Sequence, residues 1–345
     1  MEFTHLHVHT EYSLLDGSNK IKEYVARVKE LGMDSAAITD HGVMYGVIDF
    51  YRAAREAGIN PILGCEVYVA PGSRFDREVG SGDDRYYHLV LLAENNQGYS
   101  NLMKIVSKAF VEGFYYKPRV DLELLEKYHE GIIALSACLA GEVARYLARG
   151  MYEDAKIVAL RYQDIFGKGN FFLELQDHGI PEQQTVNQQL LRMHRETGID
   201  LVATNDVHYT MAEDAEPHDV LLCLQTQKKL SDENRMRYEG GQYYVKSPEE
   251  MARLFPYALE ALENTHRIAE RCHVEIEFGV TKLPKYDVPD GFTSWEYLNK
   301  LCHEGLEQRY HPVTEELKKR LDYELSTIKN MGYVDYFLIV WDFIN

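Results

Sequence analysis

Apolar and polar residues alternate along the opening stretch, where Phe3, Leu6 and Val8 are interleaved with Thr4, His5, His7 and His9. This is close to the period-two pattern of a strand with one apolar face. Ile21, Tyr24, Val25 and Val28 then recur at helical spacing, which predicts a helix over 19–31 with Gly32 as its C′ residue. Further apolar runs predict strands over 35–39, 61–68, 86–92, 131–136, 171–176 and 201–204. Between them, helices are expected over 45–58, 100–110, 141–149, 152–166 and 182–197. The glycine-rich, charged stretch 71–84 reads as an exposed loop. From residue 247 the pattern becomes helical, with helices over 247–254 and 258–272 and another after Pro284, Pro289 and Gly291. The strongly apolar residues 336–344 end the chain abruptly, so it reads as part of something larger.

Seven alternations of strand and helix imply parallel strands joined by crossover helices. An open doubly wound sheet and a closed barrel both fit that count. Candidate metal ligands favour the barrel, because they sit on or just beyond at least six of the seven strands. A barrel gathers those ends at one mouth, whereas an open sheet spreads them apart.

The candidate ligands are His7, His9, Asp16, His41, Glu66, His88, Cys138, Asp206 and His208. On a strand, His7 and His9 project from the same side, close enough to grip one cation. Taken singly, each has a plainer reading. The histidine pair fits a solvated edge strand, Asp16 before Gly17 fits a turn, and His88 and Cys138 fit a packed core. Nine donors at equivalent ends of alternating units are better explained together. They exceed one tetrahedral site and imply two or three divalent ions. The mixture of imidazole, carboxylate and thiolate suits zinc, manganese or iron.

Composition narrows the picture. The chain has 345 residues, 45% hydrophobic and 27% charged, enough for a substantial globular core. A formal net charge of −18 argues against a general nucleic-acid coat. It leaves open a nucleic-acid substrate held locally by metal ions. Cys65, Cys138, Cys223, Cys272 and Cys302 are scattered, with no CxxC, and are expected to be thiols rather than a disulfide framework. No apolar run approaches a membrane span, and no leader-like pattern opens the chain, so a cytoplasmic location is expected.

The order HxH, Thr-Asp-His, Gly-x-Glu, a strand histidine, Ser-Ala-Cys and Asn-Asp-Val-His-Tyr resembles the polymerase and histidinol phosphatase (PHP) family of metal-dependent phosphoesterases. Residues 113–119, 173–179, 204–209 and 335–342 are more narrowly similar to the N-terminal portion of bacterial DNA polymerase III alpha subunits. The resemblance covers nearly the whole chain. It implies a distorted seven-stranded (β/α)7 TIM-like barrel over 1–282, and a mostly helical extension over 283–345 that begins a polymerase region. It also implies which ion each ligand serves. His7, His9, Glu66 and Asp206 would hold a first ion, and Glu66 would bridge to a second on His88 and Cys138. Asp16, His41 and His208 would hold a third. His5 is an alternative in the HxHxH run, but the family motif places the second histidine before Ser or Thr, which selects His7 and His9.

The activity implied is phosphodiester hydrolysis by water activated between ions that share Glu66, with Glu66, Asp206 and His9 in catalytic roles. Three divalent ions at about +6 against three carboxylates and a thiolate at about −4 leave such a site locally positive. Arg85, Lys117, Arg119 and His178 are candidate substrate contacts. The resemblance makes 3′–5′ exonuclease editing of a DNA primer end the leading expectation. Expected partners are DNA, the remaining polymerase domains of the same subunit, a separate proofreading exonuclease and other replisome subunits. Two alternatives stand beside it: a metal-stabilised scaffold that does not cut, and a small-molecule phosphatase similar to histidinol phosphatase. The catalytic carboxylates of polymerisation are expected to lie beyond residue 345, so the chain itself should not polymerise DNA.

Overall fold

A computed structural model of the chain describes residues 2–78, 85–280 and 282–345. Part of the expected loop, residues 79–84, and Met1 of the opening stretch lie outside the described residues. The chain divides into two compact units, Met1–Glu275 and Ile276–Asn345. The boundary expected after residue 282 falls slightly later, inside the second unit.

The first unit is an α/β sheet wrapped by helices. In chain order come α1 (Ile21–Glu30), β1 (Ser35–Ile38), α2 (Val47–Ala57), β2 (Asn60–Val69) and β3 (Tyr87–Ala93). They are followed by α3 (Asn96–Val111), β4 (Arg119–Val120), α4 (Leu122–Tyr128), β5 (Ile132–Leu135), α5 (Glu142–Ala148) and α6 (Tyr152–Phe166). The unit closes with β6 (Phe171–Leu175), α7 (Pro181–Thr197), β7 (Leu201–Ala203), α8 (Ala215–Thr226), α9 (Pro248–Leu254) and α10 (Leu259–Arg271). Most helices form where the sequence pattern places them, while α4 and α8 fall in stretches for which it predicts no element. α1 buries Ile21, Tyr24, Val25 and Val28 on one stripe, α2 ends at Gly58 in the left-handed region, and Ser247 with Glu250 forms a capping box on α9.

The sheet order is β1-β2-β3-β5-β6-β7, with the short β4 paired to β2. Two features depart from the all-parallel expectation. β3 is antiparallel to both β2 and β5. No helix separates β2 from β3 among the described residues, and a parallel return needs a crossover of about a dozen residues or more, usually helical. The opening residues also form no regular strand. They bridge instead: Val8 pairs with Val207, Ala37 N donates to His5 O, Thr39 N to Val8 O, and Val207 N to His7 O. Residues 5–9 therefore bond β1 on one side and the segment just after β7 on the other, spanning the two edges of the curled sheet. The result is a distorted α/β barrel.

Strand parity sorts its interior into two layers. Ile62, Val90, Phe172 and Val202 belong to the buried apolar cluster. Glu66, His88, Glu174 and Thr204 lie at even spacings from them along the same strands and so share their face. The reversal of β3 matters here. His88 stands at the start of its strand, and only an antiparallel strand brings that start to the end where β2 carries Glu66. At the opposite end, Ile268 and Ala269 of α10 and Cys272 just after it join the apolar cluster, and Asn60 Nδ2 at the start of β2 donates to the Ala269 and Cys272 carbonyls.

The second unit contains α11 (Ser294–Arg309), α12 (Glu315–Asn330) and α13 (Val334–Ile344) around Leu298, Leu325 and Leu338. Thr293 and Glu296 cap α11 reciprocally, and Asp335 accepts hydrogen bonds from Tyr286 N and the Ser294 hydroxyl. No helix of the described residues is long and apolar enough to cross a membrane.

Candidate metal centre

Glu66 is the hub. It is 1% exposed and lies among four imidazoles. Its Oε1 is 3.2 Å from His7 Nε2 and 2.9 Å from His88 Nδ1, and its Oε2 is 2.6 Å from His41 Nδ1 and 3.6 Å from His9 Nε2. Cys138 Sγ approaches the same corner, 3.7 Å from His88 Nδ1 and 4.0 Å from Glu66 Oε1. Asp206 Oδ1 lies 3.2 Å from His7 Nε2 and 3.1 Å from His9 Nε2. Asp16 Oδ2 is 3.0 Å from His41 Nε2, and its Oδ1 is 4.0 Å from His208 Nε2. The His9 ring stacks on His41 with centroids 3.9 Å apart and lies 4.4 Å from His208. All nine residues singled out by spacing thus meet in one cluster.

Local backbone geometry aims several of them. Leu15 before Asp16 (φ 60°), Ala137 before Cys138 (φ 64°) and Asp206 itself (φ 44°) occupy the left-handed region that L side chains rarely adopt. Gly17 is required for closeness instead, since a Cβ there would lie 2.3 Å from the Thr10 carbonyl oxygen.

The outer nitrogens are committed to the protein. Glu174 Oε1 lies 2.7 Å from His7 Nδ1, and Ser13 Oγ lies 3.2 Å from His9 Nδ1. Asp40 accepts from Thr10 N at 2.6 Å, the Thr10 hydroxyl at 2.8 Å and the Ser13 hydroxyl at 2.7 Å. Such contacts fix imidazole orientation and leave Nε2 free to point inward.

Charge follows geometry. Burial disfavours an ionised Glu66, but His88, His41 and His7 outweigh it and hold the carboxyl well below its usual range. Asp206 is lowered in the same way, with burial overcome by His7 and His208. Burial also opposes charge on His41, yet Glu66 and Asp16 lift it to about 10. Burial drives His9 down to about 3, helped by His41 and His208. The Cys138 thiol is pushed well up by burial and by the Glu66 and Asp206 charges.

These residues fit divalent cations. His7 Nε2, His9 Nε2, both ring nitrogens of His41, Glu66 Oε2 and Asp206 Oδ1 are buried without a hydrogen-bond partner among the described residues. His41 Nδ1 and Glu66 Oε2 are 2.6 Å apart but not aligned for a hydrogen bond. Buried polar atoms are ordinarily satisfied, and six orphans converging on one another need a shared partner. Three overlapping triads have ligand atoms mutually within 4.8 Å: His9, His41 and His208; His7, His9 and Glu66; and His41, Glu66 and His88.

Two expected substrate contacts are corrected by burial. Arg119 is 1% exposed, and its guanidinium donates to the main-chain carbonyls of Gly113, Arg74 and Asp76, so none of it faces the site. His178 is 3% exposed and stacks on Tyr243 at 3.8 Å. Its Nε2 meets the Asn205 carbonyl, and its Nδ1 meets the Gln183 amide. Neither ring nitrogen is left for a substrate. Lys117 lines a cleft together with Asp16 and His41, and Arg85 lies over the Tyr116 ring. His5 is also set aside, its Nε2 bonded to the Lys246 carbonyl at 2.8 Å.

Spacing missed Glu174 and Tyr238. The clue to Glu174 is a carboxylate inside the otherwise apolar Phe171–Leu175 strand. The Tyr238 hydroxyl lies 3.2 Å from both Asp16 Oδ1 and His208 Nε2, reaching in from a loop with no periodic pattern.

Comparison with known proteins identifies the family. The PHP domain family matches residues 5–178, and the bacterial DNA polymerase III alpha NTPase domain family matches residues 296–345. The DNA polymerase III subunit alpha of Treponema pallidum is 49% identical over all of this chain, and that of Borreliella burgdorferi is 48% identical over 99% of it. The chain spans about 30% of the length of either relative. Among solved structures, an amidohydrolase from Chromobacterium violaceum aligns with a TM-score of 0.41 at 15% identity, over 60% of this chain and 87% of that one. By the extent of the first match, this chain belongs to the PHP domain family.

Proposed function

We propose that the cluster holds two to three divalent ions, zinc, manganese or iron, and hydrolyses phosphodiester bonds as a 3′–5′ exonuclease acting on the primer end of DNA. One observation carries the reading: six buried ligand-type atoms of His7, His9, His41, Glu66 and Asp206 lack a hydrogen-bond partner among the described residues and converge. His7, His9, Glu66 and Asp206 would hold one ion. Glu66, His88 and Cys138 would hold a second, and Asp16, His41 and His208 a third. Bound there, divalent ions supply Lewis acidity and lower the pKa of coordinated water.

The chain's own residues do the positioning. Glu66 joins two of the three ligand groups, so its carboxylate fixes their separation. Asp206 Oδ1, between His7 and His9, orients water for in-line attack. His9, its Nδ1 held by Ser13, keeps a neutral imidazole aimed at that oxygen. Lys117 and Arg85 at the rim offer positive charge to backbone phosphates.

The similarity to DNA polymerase III alpha subunits supports DNA as the substrate class and the rest of such a subunit as the covalent partner. The match over 296–345 supports reading 283–345 as the start of a polymerase region, in a cytoplasmic replication protein.

The test is cleavage of a 3′-labelled single strand or a mismatched primer by the metal-loaded chain. Wild type should release the terminal nucleotide, while Asp206→Asn and His9→Ala should fold and lose nuclease activity. No cleavage with either manganese or zinc would sink the reading and leave the scaffold role. Turnover of a phosphomonoester but not of DNA would favour a small-molecule phosphatase. Elemental analysis is expected to give close to three metals per chain.

A further inference from the structure

Beside the Asp16–His41 corner of the metal centre opens a cleft of about 220 Å³ with an aromatic lining. Tyr45, Phe114 and Tyr116 contribute rings that are 58%, 51% and 65% exposed, and Tyr68 and Phe110 form the deeper wall. Large aromatic side chains normally bury most of their surface. Three half-exposed rings around one cleft leave much of their aromatic surface open to solvent. Two cations accompany them: Lys117 Nζ stands 5.3 Å from the Tyr68 ring centre, and Arg85 Cζ stands 4.9 Å from that of Tyr116. In a chain of net charge −18, a cleft bordered by Lys117 and Arg85 is locally suited to an anionic polymer.

We infer that this cleft is a nucleobase-stacking subsite, taking an unpaired base of a single-stranded nucleic acid while its phosphate lies at the metal centre. Aromatic faces interleaved with basic side chains are the combination that binds single strands with little regard to sequence, because every base has a π-face. Location supports this choice. Asp16 and His41 form part of the cleft wall, and the Tyr68 ring lies parallel to His41 with centroids 6.3 Å apart. A base seated against these rings is therefore next to the ligand cluster. The cleft is smaller than the roughly 300–1,000 Å³ of common small-molecule pockets, which suits one planar ring system. The inference takes its choice of ligand from the phosphodiesterase reading above, and it adds that the strand must be unpaired where it enters.

Binding separates the two ideas. Fluorescence anisotropy of the metal-loaded chain would be measured with 5′-labelled phosphorothioate strands, so that turnover does not enter the readout. An oligothymidylate is expected to bind about tenfold tighter than an abasic strand of equal length and charge. Tyr116→Ala and, separately, Tyr45→Ala should shrink that ratio; both rings lie on the surface, so folding is not at risk. Equal affinity for the two strands, or an unchanged ratio in both variants, would overturn the inference. Base-dependent binding without any cleavage of ordinary DNA would support the subsite and count against the hydrolytic reading alone.

Discussion

Glu174 Oε1 sits 2.7 Å from Nδ1 of His7, on the side of the ring away from Glu66 and Asp206, and so sets which nitrogen of His7 faces the centre. Glu174 is itself held by the Thr204 hydroxyl and the Gln176 amide. Replacing it with glutamine keeps the shape but removes the charge that makes Nε2 more basic. Glu174→Gln is expected to weaken metal binding by about 10- to 100-fold with little change in fold. Competition with a zinc chelator measures it, and unchanged affinity would mean that Glu174 only fills space.

Cys138 brings a thiol to the cluster, and burial with the Glu66 and Asp206 charges keeps it protonated when no cation is near. A thiolate favours zinc over manganese. Cys138→Ser should therefore lose zinc while keeping most of its manganese affinity. Elemental analysis after equilibration with equal zinc and manganese would read this as a reversal of the bound ratio.

His41, lifted to about 10 by Glu66 and Asp16 against the effect of burial, carries a proton at neutral pH in the metal-free chain. A ligand must give up that proton to coordinate. Metal binding is expected to release protons and to tighten as pH rises from 6 to 8, by up to about tenfold per unit for each proton displaced. Calorimetry in two buffers of different ionisation enthalpy counts those protons. The same raised value makes charged His41 a stabilising group in the metal-free fold, fully so below its ordinary 6.5 and lost as pH rises through about 10. His41→Ala should flatten that part of the stability profile.

Gly17 has no room for a side chain against the Thr10 carbonyl. Gly17→Ala must move backbone next to Asp16, and is expected to cost about 1–3 kcal/mol and to lower the metal count by one. Thermal unfolding with a chelator present measures the first effect, and elemental analysis the second. Full metal content in a destabilised variant would show that Asp16 is not a ligand.

Much of the centre was legible because strand period and strand ends are local properties. Glu66, Asp206 and His208 follow from where a strand stops, whereas His5, His7 and His9 share one parity and only the resemblance to the family motif selects His7 and His9. The class of fold follows from alternating strand and helix. The direction of β3 did not, since an apolar run reads the same in either direction and only the connection before it decides. The opening residues carry a strand pattern but pair through isolated bridges, because their partners on the two sides belong to distant segments. Arg119 and His178 illustrate a different limit. A charged or titratable residue near a motif looks available until the carbonyls of Arg74 and Asp76, or the side chain of Gln183, are found occupying it. Tyr238 reaches the cluster from a loop, through contacts that sequence spacing does not encode.

The bridge between Val8 and Val207 has a kinetic consequence. It closes a loop of roughly 200 residues, at an entropic cost of about 5 kcal/mol, and long-range pairings of this kind form slowly. His7 and His9 ride on the same short segment, so the ligand set is incomplete until that closure has occurred. Metal uptake should then lag behind formation of the helices, and the rate at which the chain acquires its ions becomes a clock for the last step of barrel assembly.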